Sequence, residues 1–117
     1  MELPRDATLL RIFIGENDQY EGEPLFKAIV LRAREQHLAG ATVFRGPMGF
    51  GKSSHLDKNA ILRLSFDSPI VIEMVDTEEK IQSFLPTIER MIGPGLVTME
   101  RVQAIFYKAR MINPDIG

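Results

Sequence analysis

The sequence predicts a single α+β domain in which two strand–helix–strand units share one antiparallel sheet and both helices cover one face. Three observations carry this reading. "TLLRIFI" (8–14) alternates around Leu10, Ile12 and Ile14 at strand period, and "IVIEMV" (70–75) is a second β-rich run. Directly after it, Ile81, Phe84, Leu85, Ile88 and Ile92 recur at helical spacing. The 117 residues, 44% apolar and 26% charged, leave room for one core, so residues 1–117 form one domain.

The elements follow in order. After the first strand, "GENDQYEGE" is a turn-rich connection, and Pro24 occupies the first position of a helix. Phe26, Ile29, Val30, Ala33 and His37 lie on one side of that helix, which makes His37 a packed, hydrogen-bonded histidine, and Gly40 ends the helix. "ATVF" (41–44) is the second strand and runs into a long glycine-rich loop at about 45–59. Beyond the loop, Leu56, Ala60, Ile61 and Leu64 fit a helix, whereas Leu62, Leu64 and Phe66 alternate with polar neighbours; the strand is the preferred reading. "SP" at 68–69 interrupts it before 70–75 continues the layer.

The second helix opens with Asp76 and Glu79 at capping-box spacing, and Pro86 is expected to kink or split it. "GPG" (93–95) is a tight turn, and "LVTMERVQAIFY" is the last strand, with a bulge expected near Glu100. The β-α-β-loop-β-α-β order is that of a ferredoxin-like βαββαβ sandwich.

Composition narrows the function. Without cysteine, disulfides, thiolate metal sites and cysteine nucleophiles are excluded. "MELPRDA" carries no apolar signal core and no apolar run approaches ~18 residues, so a cytoplasmic protein is expected. The net charge is −2, yet Arg45, Lys52, Lys58 and Arg63 face only Asp57 over residues 45–63. The glycine loop is therefore the basic region of an acidic protein, suited to an anionic ligand or simply to solvent.

Within that loop, "RGPMGFGKSS" (45–54) satisfies the phosphate-loop spacing through Gly46, Gly51, Lys52 and Ser53. In a phosphate loop, backbone N–H groups wrap the phosphates and a following helix directs its positive end at them. Here the motif follows a complete strand–helix–strand unit and leads into a strand, so a nucleotide hydrolase is the lesser reading. Nucleic acid is not the expected partner either: Phe50 is the only aromatic in "MGFGKSS", and the sequence pI is about 5.7.

Together, "GATVFRGPMGFGKSS" (40–54), "LRLSFDSPIVIEMVDTEEKIQSFLPTIERMI" (62–92) and "GLVTMERVQAIFY" (95–107) resemble the PII-like proteins, and more specifically the family called domain of unknown function 190. The resemblance implies a regulatory, signal-transducing homotrimer whose sheets face inward. It also implies clefts between subunits that bind AMP, ADP or ATP, and relay of occupancy to a partner protein, membrane-bound or cytoplasmic. The ligand residues it implies are Gly46, Gly49, Gly51 and Lys52 in the loop, Gly93 and Gly95 after the second helix, and Lys108 and Arg110 near the chain end. The loop is shorter than a PII loop and lacks its modified tyrosine.

Read from the residues alone, closely spaced glycines form an anion-binding nest, Lys52 adds a point charge, and Arg110 can clamp a phosphate bidentately. The plainer readings are loop flexibility for Gly46, Gly49 and Gly51, helix termination for Gly93 and Gly95, and solvated tail charges for Lys108 and Arg110. An alternative is a metal-binding trimer resembling the CutA proteins, using His55 and Asp57, although two ligands make no site. The methionines are scattered gap-fillers. No catalytic residue is assigned.

Overall fold

The computed structural model describes residues 5–49 and 68–108. Strand β1 (Asp6–Gly15) leads to a two-residue pair, β2 (Gln19–Tyr20) and β3 (Glu23–Pro24), then to helix α1 (Leu25–Glu35) and strand β4 (Thr42–Arg45). After the loop come β5 (Pro69–Asp76), helix α2 (Glu78–Met91) and β6 (Leu96–Gln103). The four long strands form one sheet in the order β4-β5-β1-β6, every neighbour antiparallel. This is the expected ferredoxin-like architecture. The strand expected over 62–66 lies outside the described residues, as does the helix alternative there.

Strand period explains which face is buried. Leu10, Ile12 and Ile14 of β1 and Ile70, Ile72 and Met74 of β5 point to the same side. There they meet Leu25, Ala28, Ile29 and Ala33 of α1 and Ile81, Phe84, Ile88 and Met91 of α2 in one core. Phe84, Leu10 and Ile12 are fully buried, so this layer carries most of the apolar burial.

No helix among the described residues packs on the opposite face. Register places Phe44, Val71, Phe13 and Leu96 on one row across all four strands. Phe44 is 50% and Leu96 56% exposed.

Several local expectations are corrected. Pro24 is the residue before α1, not its first turn. The first helical N–H, of Leu25, is satisfied instead by the Asp18 carbonyl at 2.8 Å. The helix stops at Glu35 rather than at Gly40, because His37 takes the left-handed conformation (φ 60). His37 N–H bonds the Arg34 carbonyl and Leu38 N–H the Ala33 carbonyl, the paired pattern of a Schellman end. His37 is therefore exposed, not packed on the buried side.

The cap of α2 is also one residue later than expected. Thr77 Oγ1 accepts from Lys80 N–H at 3.1 Å, and no Asp76–Glu79 box forms. Pro86 sits inside one uninterrupted helix. Strand β6 pairs with β1 in constant register from Phe13↔Leu96 to Asp6↔Gln103, with no bulge at Glu100. It ends at Gln103, and residues 104–108 continue as irregular chain.

Candidate functional site

The antiparallel register sorts the expected ligand residues by position. Arg45 pairs with Ile70, Ile70 with Ile14, and Phe13 with Leu96. The stem of the glycine loop and the turn after α2 therefore lie at one end of the sheet. They lie on opposite edges, however, three strand spacings or about 14 Å apart. Lys108 follows β6 and lies beyond the other end. Gly51, Lys52 and Arg110 fall outside the described residues, as do Ser53, His55 and Asp57.

Each described glycine has its own local reason. At Gly46 an added Cβ would stand 2.8 Å from Pro69 Cγ, and its N–H bonds the Pro69 carbonyl at 2.8 Å. Gly49 (φ 157) would place a Cβ 3.2 Å from the same ring carbon. The two loop stems thus close on each other where only glycine fits. A Cβ at Gly95 would meet Phe13 O at 3.0 Å, whereas Gly93 faces open space.

A groove of about 420 Å³ opens at the other end of β4. Thr42, Glu73 and Val75 line it from the open sheet face, and Ala104, Phe106 and Tyr107 from the segment after β6. The backbone of Ala39, Gly40 and Ala41 closes its side. The Tyr107 hydroxyl donates to the Ala39 carbonyl at 3.3 Å, and the Ala39 N–H donates to Asp76 Oδ2 at 2.8 Å, so Ala39 is held through both of its backbone polar groups. A second groove of about 520 Å³ shares Tyr107 and Ala39–Ala41 and extends over Ala33, Arg34 and Leu38 of α1 and its end.

The groove combines apolar walls with a few directed polar groups. Phe106 is 78% exposed, and Lys108 Nζ lies 5.8 Å from its ring centroid. The Glu73 carboxylate is oriented by Arg11, whose Nε donates to Oε2 at 2.8 Å. Arg11 Nη1 reaches Glu100 Oε1 at 2.6 Å, so one guanidinium ties β5, β1 and β6 together on the open face. The Glu73 hydrogen bond, opposed by loss of solvent and aided by the charges of Glu73 and Glu100, raises the Arg11 pKa above its ordinary value. A base raised in this way contributes stability that is present below its unfolded pKa and lost as pH rises through its folded one, so Arg11 stays charged across neutral pH.

Sequence reading missed this groove. Its walls come from the α1–β4 connection, the middle of β5 and the chain after β6, which no local pattern links. The sequence pattern places Phe106 and Tyr107 inside the last strand, which ends at Gln103.

Thr42 and Phe44 of β4 and Gly46 just beyond its end stand at i, i+2 and i+4, so groove and loop stem share one row of the open face. Four residues of extended chain separate them by about 13 Å. The described residues thus form an antiparallel ferredoxin-like sheet with one uncovered face and glycine-closed loop stems at its edge. The chain belongs to the DUF190 family, domain of unknown function 190, described as "Uncharacterized ACR", whose model matches residues 7–104.

Among relatives, a UPF0166 protein of Aquifex aeolicus is 43% identical over 98 residues, covering 84% of this chain and 92% of its own. A UPF0166 protein of Methanocaldococcus jannaschii is 37% identical over 92 residues, 78% of this chain and 84% of its own. The solved structure of CPII from Thiomonas intermedia K12 bound to ADP, AMP and acetate superposes with a TM-score of 0.53 at 18% identity, covering 85% of this chain and 88% of that one. A second CPII structure, bound to ADP and bicarbonate, gives 0.51 at 18% identity, covering 87% and 95%. These structures share the fold.

Proposed function

We propose that this chain is a PII-like regulatory protein that binds an adenine nucleotide along β4, in a homotrimer whose open sheet faces point inward. The observation that carries the proposal is the single row from the 420 Å³ groove to Gly46. At about 13 Å its length matches a nucleoside di- or triphosphate laid along the strand. The base would enter the groove against Val75 and Phe106. The free Oε1 of Glu73 would accept from its exocyclic amine, and the Thr42 hydroxyl offers a second polar contact. The phosphates would reach the backbone of the glycine loop, with Lys52 adding charge beyond it.

The bare face supports assembly. A row of Phe44, Val71, Phe13 and Leu96 is apolar surface that a second copy would cover. The two glycine groups lie on opposite sheet edges, so one complete site takes the loop from one subunit and the Gly93–Gly95 turn from its neighbour. Head-to-tail contact of unlike edges closes a ring where its rotation closes, and a trimer would satisfy it. Both CPII neighbours are bound to ADP, and one of them also to AMP, which favours the same ligand class here.

Binding would be regulatory and without turnover: the loop would change its arrangement with occupancy and present a surface to a partner protein, membrane-bound or cytoplasmic. The described residues contain no helix long and apolar enough to cross a membrane.

Calorimetric titration of nucleotide-free protein with AMP, ADP and ATP, with and without magnesium, tests this reading. The expected result is about one nucleotide per subunit and unchanged nucleotide at the end. Magnesium-dependent product would transfer the function to the hydrolase reading through Lys52 and Ser53.

A further inference from the structure

The described stems of the glycine loop, 42–49 and 68–70, carry a single base, Arg45. It forms an ion pair with Glu16, from the connection between β1 and β2. The Glu16 N–H bonds the Ser68 carbonyl of the other stem at 2.8 Å. Glu16 therefore contacts both stems, one through its backbone and one through its carboxylate.

The two partners differ in freedom. The Arg45 side chain is 61% exposed and stands at the end of β4, where the strand gives way to the loop. Glu16 is 23% exposed and fixed by its backbone bond. Exposed ion pairs have small net value, so an incoming phosphate displaces the carboxylate at little cost. Arginine prefers the exchange, because its planar fork meets phosphate oxygens bidentately.

We propose that Arg45 is an exchangeable anion contact of the loop: paired with Glu16 in the empty protein, and turned to the terminal phosphates of a nucleoside di- or triphosphate in the bound one. Glu16 is then a positioning residue that sets the threshold for binding. The proposal rests on the nucleotide reading above and adds to it two residues outside the glycine set.

A double-variant cycle with ADP tests it. Arg45→Gln should weaken ADP binding about tenfold or more, as loss of a charged hydrogen-bond partner does. Glu16→Gln should strengthen it about threefold in the parent protein and leave it unchanged in the Arg45→Gln background. Thermal melting of each variant keeps folding separate from affinity. Equal gains from Glu16→Gln with and without Arg45 would overturn the exchange, since the carboxylate would then act by repulsion alone. So would an Arg45→Gln protein that binds ADP as the parent does. A parent protein that binds neither ADP nor ATP would instead overturn the nucleotide reading and this inference with it.

Discussion

The Asp76 carboxylate accepts a hydrogen bond from the backbone N–H of Ala39 at 2.8 Å, tying the end of β5 to the connection between α1 and β4. Asp76 is fully buried, its other oxygen accepts from Thr77 N–H at 2.7 Å, and Lys80 Nζ lies 4.0 Å away. Removing the carboxylate leaves two backbone donors without partners. Asp76→Ala should therefore cost about 2–3 kcal/mol of stability. Urea denaturation measures it, and a loss within experimental error would show that the connection is held by other means.

Gly46 and Gly93 should behave oppositely under the same substitution. Gly46→Ala drives a methyl to 2.8 Å from the stiff Pro69 ring and should cost about 1–3 kcal/mol. Gly93→Ala enters open space at an ordinary backbone angle and should be neutral to within about 0.5 kcal/mol. Melting curves of the two variants settle the contrast. A nucleotide affinity lost in Gly93→Ala without loss of stability would mark that turn as ligand-contacting.

His37 ends α1 in a left-handed conformation that side chains resist. Its carbonyl accepts from Lys80 Nζ, a bond that any residue at this position retains. His37→Gly should raise stability by about 0.5–1 kcal/mol, the relief of strain exceeding the added freedom of the unfolded chain. A lower melting temperature would mean that the imidazole itself contributes packing.

The open face gives a prediction about assembly. Val71 is half-buried on that face, opposite Phe13 and Phe44 and away from the core. Val71→Glu should leave the monomer fold intact and abolish the proposed trimer, because an apolar interface does not accept an unpaired carboxylate. Light scattering with circular dichroism separates the two effects.

The layered fold was legible because its signals are local. Alternation in 8–14 and the i, i+3, i+4 series from Ile81 depend only on neighbouring residues and on one core face. Errors arose where a tertiary partner outbid a local pattern. Asp76 has cap-like spacing, but burial beside Ala39 N–H takes its carboxylate, and Thr77 caps the helix instead. His37 falls on the apolar stripe of α1, but the Schellman end turns it outward one residue after the helix closes. Of the candidate site, the glycines were legible as a spacing. The groove was not, since Thr42, Glu73 and Tyr107 meet only through sheet register and the path of the chain after β6. The Arg45–Glu16 pair joins residues 29 apart by the same route.

Native mass spectrometry of the protein with a modest excess of ADP tests the central claim in one measurement. The account predicts a trimer carrying up to three ADP molecules. A monomer with or without ADP would contradict the intersubunit site. A trimer that takes up no ADP, and no ATP in its place, would contradict the nucleotide along β4.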